Sequence, residues 1–304
     1  MAIFDVKKGF GACLAAGAAA LAYATIVEPY DIAVERVEIS LPRLPKTFDG
    51  LSILLISDLH TRRMGRREKL LCRILSVIEP VDVALLTGDL IHTVQGVEPF
   101  LEIAKGINSA SGIFAVFGNS EHKNGVDPYA FASVLSENGI APLLNRHVTI
   151  SRNGADICLA GVDDPVTNND HLGDALSGAA SDMCTLLMMH SPDGIAEAIV
   201  RGVDLVFSGH THGGQVRLPL VGAPFTHSHL GPRMSSGYYS GRRLRGVIGL
   251  RPGRTQLYVS RGVGISGMAL RFMCPPEIAV ITLRRGMPQF IAGKRGKSNA
   301  QRPY

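Results

Sequence analysis

Two aspartates, one asparagine and four histidines stand at the ends of apolar runs in this sequence. Asp58 and His60 close LSILLISDLH, Asp89 follows Gly88 after VDVALLT, and Asn119 follows Gly118 after GIFAVF. His190 ends CTLLMMH, and His210 and His212 end VDLVFSGHTH. A lone histidine in such a place is ordinarily a hydrogen-bonded histidine, and a Gly-Asp pair is ordinarily a turn. Seven nitrogen and oxygen donors at the ends of five successive runs are a different pattern. Brought to one crevice, they bury carboxylates and imidazoles together, which is costly without a counter-charge. Divalent cations supply that charge. Imidazole and carboxylate ligation without thiolate suits Mn, Fe, Zn or similar ions more than a structural zinc site.

The elements that must position these donors follow from the pattern around them. The runs are apolar without alternation, as in strands covered on both faces. Between them lie helical periodicities. REKLLCRILSVIE places Leu70, Leu71, Ile74, Leu75 and Ile78 on one face. GVEPFLEIAKGI and DPYAFASVLSENG are similar, with Gly139 as a C-cap of the latter, and DGIAEAIVRG closes at Gly202. Strand and helix alternate, so the expected class is α/β with a mostly parallel sheet. Ligands of such sheets gather beyond the carboxyl ends of the strands, where all seven donors stand.

The chain of 304 residues is long enough for a sizeable core, and 46% of it is hydrophobic. A net charge of +5, with no basic stripe carrying interleaved aromatics, argues against a nucleic-acid partner. Arg242, Arg243 and Arg245 in SGRRLRG read as a solvated loop, the alternative being a patch for anionic lipid or substrate phosphate. Cys13, Cys72, Cys158, Cys184 and Cys274 include no CxxC, and Cys158 and Cys184 read as core residues.

Phe10 to Val27, FGACLAAGAAALAYATIV, carries no charge and nears the roughly 20 residues that span a bilayer. It reads as a membrane anchor, with a secretory signal or a buried helix as alternatives. The expected organisation is a short flank (1–9), the anchor (10–27), a connector with an edge strand (28–46), a catalytic domain (47–287) and a basic tail (288–304) that frays over GKRGKSNAQRPY. On this reading a chain beginning near Leu41 keeps the whole catalytic domain. Lys7 and Lys8 favour a cytoplasmic N-terminus, and Arg36, Arg43 and Lys46 pull the other way, which leaves the side of the catalytic domain open.

D-x-H (Asp58, His60), G-D (Asp89), G-N-x-E (Asn119, Glu121), His190 and G-H-T-H (His210, His212), in this order, resemble the signature of calcineurin-like metallophosphoesterases over residues 50 to 285. GVDDP, HSPD, GHTHGGQ and SRGVGISG…PPEIAVITL, with the apolar segment, are similar to a membrane-associated branch of that superfamily. Members of related branches hydrolyse the pyrophosphate of UDP-2,3-diacylglucosamine in lipid A synthesis, and others are broad phosphodiesterases. The resemblance implies a four-layer α/β/β/α sandwich with two mixed sheets. It implies two divalent ions, manganese among the options, and hydrolysis by a metal-bridging hydroxide. One ion would take Asp58, His60, Asp89 and His212, and the other Asp89, Asn119, His190 and His210, with Asp89 shared. The substrate would be a phosphodiester or pyrophosphate, lipid-linked in the related branches, and the setting a bacterial-type inner membrane with one N-terminal pass and a monomeric catalytic domain. A promiscuous phosphodiesterase or phosphatase on soluble substrates is the enzyme alternative, and a non-catalytic metal-binding scaffold the alternative of another class.

The family commonly has histidine where this chain has Ser120. Its loss tilts the expectation toward substrates with stable leaving groups, with His122 as a substitute acid. Asp89, Asn119 and His122 are thus the expected catalytic residues, and His92, Ser120 and Gln215 the expected substrate contacts. Asp163 and Asp164 either orient ligand histidines or make a turn before Pro165. His227 and His229 read as loop residues.

Overall fold

The computed structural model describes residues 2–293, and side chains from residue 10 onward. In chain order its strands are β1 Ala33–Leu41, β2 Ser52–Ile56, β3 Val83–Thr87, β4 Ile113–Val116, β5 Ile140–Pro142, β6 Arg146–Arg152, β7 Ala155–Gly161, β8 Cys184–Met188, β9 Leu205–Ser208, β10 Gly237–Tyr239, β11 Gln256–Val259, β12 Glu277–Arg285 and β13 Phe290–Ala292. They form a seven-stranded sheet, β13-β1-β12-β2-β3-β4-β5, and a six-stranded sheet, β10-β11-β9-β8-β7-β6. Both are mixed: β2 to β5 run parallel while β12 meets β2 antiparallel, and β7, β8, β9 and β11 run parallel between antiparallel β6 and β10.

The unbroken apolar runs have a direct cause. Successive side chains of a strand point to opposite faces. In β2, Ile53 and Leu55 face the second sheet, while Leu54 and Ile56 face helices. In β9, Leu205 and Phe207 join the core between the sheets, and Val206 joins the core on the outer face. Each run is therefore apolar on both faces, with polar residues near its ends, such as Ser52, Thr87, Thr185 and Ser208. Helices α1 Ala2–Ala22, α2 Arg66–Leu75, α3 Val97–Ala104, α4 Asn119–Lys123, α5 Pro128–Glu137, α6 Leu172–Ala175, α7 Ile195–Val200 and α8 Gly241–Ile248 complete the chain. α2, α3 and α5 pack on the outer face of the first sheet, and α6, α7 and α8 on that of the second. The layers are those of the expected sandwich. Cys158 and Cys184 are buried in its cores.

Three boundaries differ from the sequence expectation. β1 is not an edge strand: β12 pairs it along its full length, and β13 covers its other side over Val37 to Ile39. The basic tail thus opens with a strand, too short for its periodicity to show; the segment expected to fray lies, beyond Gly293, outside the described residues. Arg242, Arg243 and Arg245 lie on α8, not on a loop, with Leu244 buried beneath them and Arg243 stacked 4.1 Å over the Tyr239 ring.

α1 continues as a π-helical turn, Tyr23–Val27, and a 3₁₀ turn, Glu28–Tyr30, directly before β1. One stretch, Phe10–Tyr30, is long and apolar enough to cross a membrane, and 6% of its hydrophobic window is buried, so it is not a core helix. Its far end is buried. The Ala24 carbonyl accepts from Arg271 N at 2.9 Å, and the Glu28 carboxylate accepts from Met273 N at 2.9 Å and from Cys274 N. Arg271 is fully buried and donates to the carbonyls of Gly264 (2.6 Å), Arg261 (2.8 Å) and Cys274 (3.1 Å). Cys274 Sγ lies 3.4 Å from the carbonyl of His212. The base of the helix is thereby fixed to loops that end at a candidate ligand.

Candidate metal centre

The chain turns sharply where β2, β3 and β9 end. Asp58, His60, Asp89, His210 and His212 all adopt left-handed backbone, with φ between 47° and 67°, among eleven such non-glycine residues described. Left-handed backbone at a non-glycine residue costs of order 1–3 kcal/mol and clusters where structure must aim a side chain. Aspartate, asparagine and histidine tolerate it better than most. Two glycines serve close approach. A Cβ on Gly118 would sit 2.4 Å from Asp89 Oδ1, and one on Gly209 would sit 1.9 Å from Ser57 Oγ.

The aimed side chains converge. His60 Nε2 is 3.1 Å from His212 Nε2 and 3.2 Å from Asp89 Oδ2. His212 Nε2 is 3.5 Å from Asp58 Oδ1. On the other side, His190 Nε2 is 3.4 Å from Asp89 Oδ1 and 3.3 Å from His210 Nδ1. Asp89 thus turns one oxygen toward each pair of histidines. Asp58, His60 and His212, and likewise Asp58, Asp89 and His190, hold their ligand atoms within 4.8 Å of one another, all buried. Asn119 heads α4, and its Oδ1 is buried without a hydrogen-bond partner among the described residues. Clustered buried donors and an orphaned carbonyl oxygen fit divalent cations, which would satisfy both.

Neighbours hold these groups in place. His190 Nδ1 bonds the Thr87 carbonyl at 2.8 Å, which leaves Nε2 free to face inward. Ser57 Oγ donates to Asp58 Oδ2 at 2.6 Å, and His210 N donates to both Asp58 oxygens. Ser120 N donates to Asp89 Oδ1 at 2.8 Å. Burial pushes His60 down to about 4 and His210 to about 3, so both imidazoles are neutral at pH 7 and offer lone pairs. Burial also lifts Asp58 to about 6. Burial works against ionised Asp89 as well, but His190 and His60 beside it hold its carboxyl well below the usual range.

The structure redistributes several expected roles. Ser120 is buried, and its hydroxyl pairs with His60 Nδ1 at 3.1 Å, so it orients a candidate ligand where a substrate contact was expected. Gln215 is also buried and is spent on the backbone of Ser266, donating to its carbonyl at 2.6 Å and accepting from its N–H at 2.8 Å. His92 lies at the rim, its ring 5.9 Å from that of His60 and its Nε2 2.7 Å from Arg62. His122 bonds Asp163 at 2.7 Å, so Asp163 orients this histidine and no candidate ligand. Asp164 makes the turn before Pro165 by accepting from Thr167 N. His227, read as a loop residue, reaches the centre, with its ring 6.1 Å from that of His210 and 6.3 Å from that of His212. His229 does not join it; its backbone N–H donates to Asp193.

Two residues of this region carried no role in the sequence reading. Glu121 is fully buried and accepts from the N–H groups of Asp89 (3.0 Å), Ile91 (3.0 Å) and Gly118 (2.9 Å), pinning the turns after β3 and β4 together. Its place in G-N-x-E is the signal that could have found it. Arg271, beneath His212, had no such signal. From the Ser120–His60 pair, Ser120→Ala is expected to weaken metal affinity about 10- to 100-fold. Titration against a competing chelating dye checks this; unchanged affinity together with an altered leaving-group dependence would return Ser120 to the substrate.

Three comparisons bear on this geometry. The pattern of the calcineurin-like phosphoesterase family matches residues 51–214. The chain is similar to the uncharacterized metallophosphoesterase YkuE of Bacillus subtilis (strain 168), 31% identical over 91% of this chain and 96% of that protein. It is also similar to a transmembrane protein with metallophosphoesterase domain of Bos taurus, 32% identical over 83% of this chain and 57% of that one.

Proposed function

Because the chain belongs to the calcineurin-like phosphoesterase family, we propose that its buried centre holds two divalent ions and hydrolyses a phosphodiester or pyrophosphate at a membrane surface. The observation that carries this is Asp89, whose two oxygens face His60 and His190, one from each candidate ligand set. Asp58, His60 and His212 would share one ion with Asp89, and Asn119, His190 and His210 the other. Ions bound there supply Lewis acidity and lower the pKa of water toward neutrality. The chain's own part is to hold the donors rigid before substrate arrives, through Ser57, Thr87 and Ser120, and to keep the imidazoles of His60, His210 and His212 neutral by burial. Manganese, iron and zinc all suit this donor set. The test is a rate measurement on purified full-length protein with each ion in turn, across aryl diesters, nucleotide-linked pyrophosphates and alkyl monoesters. Retained activity after exhaustive chelation would sink the reading.

The proton donor in this proposal is His122. The hydrogen bond from Asp163 raises its pKa above the ordinary 6.5, against the effect of burial. The imidazolium is the acid form, so activity that needs it is lost as pH rises through that raised value. Asp163→Asn removes the cause and should move this alkaline limb to lower pH. His122→Ala should slow alkyl esters about 10²-fold or more, and aryl esters far less, since general acid help matters only for poor leaving groups. Equal slowing of both classes would make His122 a bystander. The pair also stabilises the fold below pH 6.5, a contribution lost as pH rises through the raised value.

The membrane setting is supported by the exposed apolar Phe10–Tyr30 stretch, and by the bovine relative's description as a transmembrane protein. That setting would bring a lipid-linked substrate within reach. The scaffold alternative is disfavoured because the complete donor set is present and most of it is buried together.

A further inference from the structure

A cavity of about 450 Å³ opens beside the candidate metal centre, with His60 and His92 on one wall. Arg62, Arg63, Arg66 and Arg67 also line it. Against four guanidinium groups its lining holds one carboxylate, Glu68, which already takes Arg67 at 2.8 Å and the N–H of Gly65 at 3.1 Å. Arg62 is turned inward onto His92, and Arg66 is stacked 4.3 Å over the Tyr30 ring. Arg62, Arg63 and Arg66 are exposed. Like charges gathered on one concave surface repel, and they concentrate anions there. Arginine is also the side chain best shaped to grip phosphate oxygens in pairs. Pro29 and Tyr30, which end the apolar stretch, line the same cavity, so it reaches from the base of that helix to His60.

We infer that this cavity is an anion subsite of the metal centre, and that the substrate carries a second phosphate or equivalent anionic group beside the one hydrolysed. The inference rests on the phosphoesterase reading and narrows it to substrates with at least two anionic groups in the head. The scissile group sits at the histidines and the second group meets the arginines. Two sources share this chemistry, a lipid head at the base of the helix and a soluble polyphosphate.

The test uses the full chain in detergent micelles, with Arg63→Ala, Arg63→Glu and Arg66→Ala. The first measurement is calorimetric binding of inorganic pyrophosphate to chelator-treated protein, a readout that needs no turnover. Each lost guanidinium should weaken it about five- to tenfold, below the more than tenfold of a buried charge-assisted hydrogen bond because these arginines are exposed. The second is the ratio of KM for a phosphorylated aryl ester to KM for a singly charged aryl diester, which should rise by a similar factor. Displacement of pyrophosphate by phosphatidic acid micelles, at concentrations where inorganic phosphate fails, assigns the anion to a lipid head. Displacement by inorganic phosphate alone assigns it to a soluble group, and either result supports the subsite. Pyrophosphate binding indifferent to all three substitutions, in variants that melt like the wild type, would overturn it. If the wild type hydrolyses nothing while arginine-dependent binding persists, the hydrolase reading falls and the subsite stands.

Discussion

Asp89→Asn is expected to leave a folded protein that has lost its bound divalent metal and nearly all hydrolysis. The side chain keeps its volume and its tolerance for left-handed backbone, which Asp89 adopts with φ near 50°. It loses one full negative charge at the point between His60 and His190, 3.2 and 3.4 Å from their Nε2 atoms. A carboxylate there is the only group of the set asked to serve both ions, and its loss leaves their mutual repulsion uncompensated. Several kcal/mol of charge stabilisation depend on such ions, which corresponds to about 10³-fold or more in rate. Metal content by mass spectrometry should fall with activity, while the melting profile stays cooperative. Wild-type rates in Asp89→Asn would end the two-ion proposal. A chain that loses activity but keeps both ions would confine Asp89 to another role.

A chain shortened to begin at Leu41 should fail to fold, and one beginning at Tyr23 should fold and remain soluble. This reverses the expectation that residues 28–46 are a dispensable connector. The shorter chain lacks β1, which lies between β12 and β13. It loses buried Ile32, Val34, Val37 and Ile39, each contributing roughly 1.5–3 kcal/mol by burial. Their sum, roughly 6–12 kcal/mol, rivals the whole stability of an ordinary domain at roughly 5–15. Arg261 would also lose Glu35, which it holds at 2.6 Å. Starting at Tyr23 keeps β1, Glu28 and the Ala24 carbonyl. Circular dichroism and thermal melting of the two chains decide this. A cooperative transition in the chain starting at Leu41 would mean that β12 tolerates a missing neighbour.

The metal centre was more legible in the sequence than its surroundings. Asp58, His60, Asp89, Asn119, His190, His210 and His212 stood out because each ends a strand that is apolar on both faces, so a polar residue there is conspicuous. The helices α2, α3 and α5 were legible for the complementary reason, a single buried face. What failed were statements about where a side chain points after a turn. Ser120 and Gln215 sit near ligands in the chain, yet the first turn of α4 directs Ser120 to His60, and left-handed backbone at Gln215 directs it to Ser266. His227 is brought to His210 by a loop with no periodic pattern to follow. β1 and β13 were misplaced because strand neighbours are a property of topology, and nothing in a segment's own residues records them.

The fixed base of the apolar helix has a consequence for reach. Catalytic domains are often hung from membranes on pliant linkers and sample many heights and tilts. Here there is little slack: five residues, the 3₁₀ turn Glu28–Tyr30 followed by Asp31 and Ile32, separate the π-helical turn from β1, and the helix end is bonded to Arg271, Met273 and Cys274. In the proposed membrane setting, the height of the histidines above the lipid surface would then be a constant of the molecule. Scissile bonds lying at that one depth would be in range, and those on headgroups that stand taller or lie deeper would not. Selection among substrates would begin with a ruler, before any contact between side chain and phosphate.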